Sequence, residues 1–473
     1  MTSYRVAEHK IIRADGSDFV FLAADKAIFA TDAATKEILS KWSIRRHVDS
    51  QQLLADLPDL SGNERQDFIR GLLQRRVILP VNDLSPGATV AGVRPGCIPL
   101  KTLILHVTDA CNLNCGYCYQ RADRSASGGA HPMGNATARK AVDFLMERSD
   151  GLQDVVLVFF GGEPLLNFAV ISATVDYARQ KAAAKGKRVD FALTTNGTLL
   201  TTEMIDFLQA QQLSVTVSLD GWEQIHDRFR RFADGRPSYR VIRENVQRLL
   251  RRSPNRPAVA RVTLAQNAEN VSEILDHLLA LGFVEVGFAP VTTGHPEFQL
   301  SDRNMDRLLE QFRRLAGDFC QAALEGRFRG FSNVIDLLVS LHQGEVMNYP
   351  CGAGLGLFAV APEGQLYLCQ RFTGDERYCM GSISEGFDRE KLERFRNEAE
   401  IRNKAACREC WVRTVCTGGC YHEACVREGS HLQPNRHYCD WIKRWTEIGL
   451  EVYCRLASSR PEFLDMLCAS RGY

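Results

Sequence analysis

The chain has 473 residues, and roughly two to four domains are expected at that length. Hydrophobic residues at 45% and charged residues at 24% describe a globular protein rather than a disordered one. With 58 Lys and Arg against 57 Asp and Glu, the net charge of +1 argues against a nucleic-acid coat or a membrane-surface protein. No apolar run approaches the roughly 18 residues that span a bilayer, and the first ten residues hold no apolar signal core. The expectation is a soluble, cytoplasmic protein with neither nucleic acid nor membrane as partner.

From the N-terminus, residues 18–22 and 27–31 read as a small hairpin. Asp32 is placed to cap a helix over 33–42. Two further helical stretches, 51–57 and 63–74, precede an apolar 77–79. Residues 84–96 are a linker by their Pro and Gly content. Nothing up to about residue 90 carries nameable chemistry.

The cysteines carry more. There are 16, with five in the first 350 residues and eleven from Cys351 to Cys468. Clustered thiols in a chain without an export signal point to metal or redox chemistry rather than to disulfides. Residues 103–107 read as a buried strand, and the triplet Cys111-Asn-Leu-Asn-Cys115-Gly-Tyr-Cys118 follows it. Three thiolates on one loop do not close a tetrahedral zinc site, but they can hold three irons of a [4Fe–4S] cluster and leave the fourth open. The triplet resembles the C-x3-C-x-aromatic-C signature of the radical S-adenosylmethionine (SAM) superfamily, with Tyr117 at the aromatic position. A second strand, 155–160, runs into Gly161-Gly162-Glu163-Pro164. In that family this loop meets the SAM amino group, so the resemblance assigns these four residues to SAM. Glycines permit close approach, and a carboxylate accepts from an ammonium.

Further strands at 189–195, 214–219, 259–264 and 284–288 alternate with helical stretches such as 138–148 and 203–210. The alternation predicts an α/β fold with a parallel sheet and outer helices. It is similar to the partial (β/α)6 barrel of radical SAM enzymes. By resemblance, Asn196, Ser218 and Arg261 are candidates for the SAM ribose or methionine carboxylate; capping of strand ends is the alternative reading.

The C-terminal pattern is Cys351, Cys369, then Cys407-x2-Cys410-x5-Cys416-x3-Cys420, then Cys439. It resembles the seven-cysteine SPASM domain of radical SAM peptide-modifying enzymes, which carries two auxiliary [4Fe–4S] clusters; a zinc ribbon is the rival. The resemblance gives Cys407, Cys410, Cys416 and Cys439 to the distal cluster and Cys351, Cys369 and Cys420 to the nearer one. Its fourth ligand is left open among Cys379, Cys425 and none.

These resemblances divide the chain into a winged-helix-like leader- or peptide-recognition domain (1–90), a radical SAM partial barrel (97–345) and a SPASM domain (346–473). They imply three [4Fe–4S] clusters and SAM as cofactors. They also imply a Cys-containing peptide or small protein as substrate, its leader bound at the N-terminal domain, and an electron donor such as flavodoxin or ferredoxin. Length and arrangement are most similar to the quinohemoprotein amine dehydrogenase maturation family, which joins cysteine sulfur to Asp or Glu methylene carbons as thioethers. Carbon–carbon crosslinking and sulfatase-type maturation are the alternatives, and a non-enzymatic metal scaffold is a remote one. The sulfatase-type pattern has an Asp base directly after the cysteine equivalent to Cys369, where this chain has Gln370. Asp336, in the apolar run 334–338, is the candidate catalytic base, because apolar surroundings raise a carboxyl pKa. A solvated helix position is its other reading. Asp220 and Asp109 are weaker candidates.

Overall fold

The computed structural model describes residues 3–45, 47–57, 60–81, 98–120, 131–252, 256–265, 270–293 and 295–471. The linker expected at 84–96 lies outside them, as do Cys97, Gln266 and Asn267.

The N-terminal strands are β1 (Ser3–Val6), β2 (His9–Ala14), β3 (Ser17–Leu22), β4 (Ile28–Thr31), β5 (His47–Asp49) and β6 (Ile78–Pro80). The hairpin of β3 and β4 gains β2 as a third antiparallel strand. A second small sheet has the order β5-β1-β6. Three helices, Ala33–Arg45, Ser50–Ala55 and Gly62–Gln74, complete this region. The first begins where Asp32 Oδ1 accepts from the Thr35 N–H at 2.7 Å, which satisfies a free helix donor. The region has its own apolar core around the fully buried Trp42. Phe21 belongs instead to the main core, where its ring lies 6.1 Å from that of Trp411.

The main sheet begins with six parallel strands: β7 (Thr102–His106), β8 (Asp154–Phe160), β9 (Arg188–Thr195), β10 (Ser214–Ser218), β11 (Val259–Leu264) and β12 (Glu285–Pro290). They are neighbours in chain order, and helices connect them. Alternate side chains of β8 (Val155, Leu157, Phe159) are fully buried against the outer helices, while Val156, Val158 and Phe160 turn to the half-buried inner face. This is a partial barrel.

The sheet does not stop at β7. Strand β13 (Leu357–Val360) pairs parallel to it, and β14 (Gln365–Tyr367), β15 (Cys379–Ser382) and β16 (Gly386–Phe387) continue antiparallel to make ten strands. The cysteine-rich region is therefore stitched to the barrel through backbone hydrogen bonds. The long helix Arg436–Ser459 packs on Asp302–Leu324, with Trp441 and Trp445 against Phe312. No described helix is long and apolar enough to cross a membrane.

Candidate active site

Strands β7, β8, β9 and β10 end at His106, Phe160, Thr195 and Ser218, so the loops after them gather at one end of the sheet. Parallel barrels place their chemistry at that end. The loop after β7 carries Cys111, Cys115 and Cys118. The loop after β8 carries Gly161 to Pro164.

These two loops are bonded to each other. The Gly162 N–H donates to the Thr108 carbonyl at 2.8 Å and the Glu163 N–H to the Ala110 carbonyl at 2.7 Å. A Cβ on Gly161 would overlap the Thr108 carbonyl, and one on Gly162 the Ala110 carbonyl. The glycines are required by this loop-to-loop approach. Pro164, buried, opens the short turn Pro164–Asn167. The Glu163 carboxylate is completely buried. It accepts from Thr195 Oγ1 at 2.6 Å, the Asn196 N–H at 2.7 Å and the Leu165 N–H at 3.1 Å. Burial raises its pKa against the pull of these donors.

Tyr117 is held from two sides. Its hydroxyl donates to Asp220 Oδ2 and accepts from Arg230 Nη1, the latter at 2.9 Å. All three side chains are buried. Asp220 Oδ1 also accepts from the Thr263 N–H at 3.0 Å, so the cysteine loop is pinned to β10 and β11. Burial pushes the Cys115 thiol up to about 11; Arg230 opposes this, and Cys118 and Cys111 add to it. Asn196 Nδ2 lies 3.8 Å from Cys111 Sγ.

One cavity of about 460 Å³ joins these groups. It is lined by the three thiols, Tyr117, Gly161, Gly162, Glu163, Asn196, Ser218 and Arg261, together with Arg230, Gln370 and Arg371. Ser218 and Arg261 are register partners across β10 and β11, and Arg261 in turn faces Gly287 on β12. A Cβ on Gly287 would sit 3.2 Å from Arg261 Nη1, so glycine leaves that guanidinium its room.

Asp336 is not among the residues lining this cavity. On the helix Ser332–Gln343 the buried face is Val334, Ile335, Leu337 and Leu338, and Asp336 takes the outward position between them. Its carboxylate pairs with Arg471 at 2.9 Å. Arg230 and Arg371 went unnoticed in the sequence. Arg230 sits in an arginine-rich stretch that reads as a solvated face, and no local pattern marks it.

The C-terminal thiols fall into two groups. Cys407, Cys410, Cys416 and Cys439 line a cavity of about 630 Å³, which Cys420 also touches. Burial raises the pKa of Cys351 and Cys369, and Cys420 lies near enough to add to both. Cys425 Sγ is 2.9 Å from the Tyr378 hydroxyl, and Cys379 Sγ contacts the Gly381 carbonyl at 3.5 Å.

Residues 105–281 match the radical SAM superfamily. The partial barrel has the radical SAM fold. Three relatives illustrate its company. The serine-type anaerobic sulfatase-maturating enzyme of Bacteroides thetaiotaomicron is 26% identical over 69% of this chain and 83% of its own length. The cysteine-type enzyme of Clostridium perfringens is 23% identical over 76% of this chain and 99% of its own. The AdoMet-dependent heme synthase of Methanosarcina barkeri is 28% identical over 72% and 96%. Among solved structures, native anSMEcpe with bound AdoMet superposes with a TM-score of 0.63 at 20% identity, covering 78% of this chain and 99% of that one. This likeness shows the fold.

A radical SAM domain implies an iron–sulfur cluster and SAM, and the donor set fits. Cys111, Cys115 and Cys118 present three thiols to one cavity, the number that leaves one iron free for another ligand. The four-thiol cavity fits a second, fully ligated cluster for an independent reason. Lys404 is 3% exposed and its ammonium makes no hydrogen bond among the described residues, yet it lies close to Cys407 and Cys416. Its ammonium lies over the Tyr421 ring, 5.2 Å from the centre, but a buried cation without a counter-charge is costly, and anionic thiolates bound to metal would supply one.

Proposed function

We propose that this chain is a radical SAM enzyme that oxidises a side chain of a peptide or protein. The observation that carries the reading is the shared cavity. Gln370 and Arg371, next to Cys369 of the C-terminal thiols, line the same space as Cys111, Cys115 and Cys118. A site of hydrogen removal thus adjoins a place for the remaining electron.

The reduced cluster at Cys111, Cys115 and Cys118 would supply the electron that cleaves SAM to methionine and a 5′-deoxyadenosyl radical, the hydrogen-abstracting species. The chain's own residues do the rest. Gly162 and Glu163 fix the thiol loop, and Tyr117 is immobilised by Asp220 and Arg230. Asn196 and Ser218 offer polar groups to the SAM amino acid and ribose. Fixing SAM and substrate in one orientation supplies the largest share of the protein's contribution.

The relatives favour sulfatase-type chemistry, in which a Cys or Ser side chain loses a hydrogen atom, a proton and a second electron. Gln370 favours a second reading, thioether formation, in which a C–H and an S–H bond break and a C–S bond forms. An amide takes no proton, and the cavity's carboxylate, Glu163, is already engaged by three protein donors. A substrate thiol bound as thiolate at the C-terminal site would need no such base. Under this proposal residues 1–90 hold the substrate's leader, the C-terminal thiols hold two auxiliary clusters, and a flavodoxin or ferredoxin supplies the electrons.

The test is turnover with two sets of peptides, one bearing deuterium on the Cys or Ser β-carbon and one on the side-chain carbons of the other residues. Deuterium transfer into 5′-deoxyadenosine from either set, together with a peptide oxidised by two electrons, supports the proposal. Label from the Cys or Ser β-carbon with an aldehyde in the product selects the first reading, and label from another residue's carbon with a thiol lost and no aldehyde formed selects the second. Deoxyadenosine formation that never labels from any peptide would defeat both.

A further inference from the structure

Lys404 carries its charge out of water. The residue is 3% exposed, and its ammonium makes no hydrogen bond among the described residues. The Tyr421 ring beneath it attracts a cation but brings no counter-charge. The backbone holds it there. The Lys404 N–H donates to the Ile401 carbonyl at 3.1 Å, and its carbonyl accepts from the Cys407 N–H at 2.9 Å. The residue is thus locked into the turn that opens the Cys407 and Cys410 pair. Its side chain reaches the loop between Cys416 and Cys420. A Cβ on Gly418, at φ +89°, would come within 3.1 Å of the ammonium and 3.2 Å of Lys404 Cδ, so glycine there leaves the cation its room.

What faces the ammonium is sulfur. Burial lowers its pKa, and Cys407, Cys416, Cys425 and Cys420 oppose this in falling order, with no carboxylate among them. His431, also in reach, is held at about 4 by burial and then by Lys404, so it is neutral. Neighbouring cations are placed differently. Lys443, beside Cys410 and Cys439, is 38% exposed and pairs with Asp440 at 3.3 Å, so water and a carboxylate screen it. Arg371 belongs to the nearer thiols, Cys420 and Cys369, and Glu423 stands beside it. Lys404 is therefore a buried charge answered by the distal thiols before any other group. Four thiolates on an iron–sulfur core are net negative, and each electron added makes them more so. A fixed cation away from water favours the reduced state, since net charge, hydrogen bonds and exposure set the potential of such clusters.

We propose that the Lys404 ammonium raises the reduction potential of a cluster held by Cys407, Cys410, Cys416 and Cys439, fitting it to accept the electron that the substrate side chain gives up. The proposal rests on the peptide-oxidising reading and adds a residue to its electron path. The substrate loses a hydrogen atom to the deoxyadenosyl radical, then a proton and one electron. That electron reduces the C-terminal site by one, and an oxidised flavodoxin or ferredoxin takes it away. Lys404 touches neither SAM nor substrate and acts through the thiolates.

The experiment is an anaerobic redox titration of the reconstituted full chain, followed by electron paramagnetic resonance, so it stands apart from turnover. Added SAM marks the signal of the cluster at Cys111, Cys115 and Cys118 by shifting it, which leaves the C-terminal signals. Lys404→Met is expected to lower the potential of one C-terminal signal by about 59 mV or more, a ten-fold change in a one-electron equilibrium. The other should move less, because Cys425 and Cys420 feel the ammonium less. Lys404→Arg should keep the parent potential, and iron content should hold in both. Should the methionine variant lose iron, Lys404→Gln, polar but uncharged, carries the same expectation. An unmoved potential at full iron overturns the proposal, and so does an equal drop with arginine, which would assign the effect to packing rather than charge. Loss of iron in both the methionine and the glutamine variants would make Lys404 a requirement of assembly and also overturns it. A four-thiol site that holds zinc gives no such signal. Peptide oxidation by that protein would leave the broader function standing and this inference refuted.

Discussion

The backbone N–H of Asn196 donates to Glu163 Oε2 at 2.7 Å, tying the end of β9 to the loop after β8. With Thr195 and Leu165 on the other oxygen, one buried carboxylate fixes the frame on which the thiol loop rests. Glu163→Gln keeps the volume but turns an NH2 toward a donor. A cost of about 1–3 kcal/mol is expected in denaturant unfolding, with Glu163→Ala costing more because it strands all three donors. SAM affinity should fall with stability in the same order. Unchanged stability in both variants would mean that the carboxylate is not the tie.

Gly162→Ala would drive its Cβ into the Ala110 carbonyl, a backbone atom with nowhere to move. The expected outcome is loss of iron at reconstitution and a destabilisation of about 1–3 kcal/mol, the usual scale of overpacking. Gly71, inside the helix Gly62–Gln74 with open space around it, is the control. There alanine should stabilise by about 0.5–1 kcal/mol through helix propensity, with iron unchanged.

Tyr117, Asp220 and Arg230 form a buried unit, so their substitutions should not add. Arg230→Met leaves Asp220 without its cation and is expected to cost about 3–5 kcal/mol. Asp220→Asn in the same chain should recover part of that loss. A double-mutant cycle with no coupling between the two positions would contradict this arrangement.

The grouping of the thiols that share each cavity was legible because most of them are local: three within eight residues, then C-x2-C-x5-C-x3-C, need no knowledge of tertiary contacts. The glycine loop was legible for its residues, though the structure gives the glycines a partner in the chain itself, the Thr108 and Ala110 carbonyls. The pairing of β13 with β7 was not legible, since it joins Leu357 to Thr102 across the whole barrel. Strands β1, β5 and β6 are three or four residues long and carry no alternation to read. At Asp336 an apolar run suggests burial, and desolvation does raise its pKa, but at helical period Val334, Ile335, Leu337 and Leu338 take the inner face and leave it outside the cavity. Arg230 and Arg371 acquire meaning only from residues distant in sequence.

Asp336 therefore provides a negative expectation. Its side chain is 66% exposed and its partner is Arg471. Asp336→Asn should leave the rate of peptide product formation within about two-fold of the parent, since exposed pairs are worth little. A loss of orders of magnitude would restore it as the base.

Acid sensitivity should trace in part to His226. The ring is fully buried; Nδ1 accepts from the Asp220 N–H at 3.3 Å and Nε2 lies 3.1 Å from Ser238 Oγ. Burial, and then Arg230, hold its pKa well below 6.5. Below that pH the unfolded ring takes a proton that the folded ring refuses. Stability therefore drops as pH is lowered, by about 1.4 kcal/mol per unit from this group. His226→Gln should start less stable at neutral pH and lose less on acidification. Equal acid slopes for parent and variant would assign the sensitivity elsewhere.

The most direct test of the account is anaerobic mass spectrometry of a Cys- or Ser-bearing peptide after incubation with reconstituted enzyme, SAM and dithionite, with 5′-deoxyadenosine quantified in the same sample. The account expects deoxyadenosine that depends on Cys111, Cys115 and Cys118, and a peptide oxidised by two electrons at its side chains. Deoxyadenosine undiminished in the Cys115→Ala variant, or none in the parent, would contradict it.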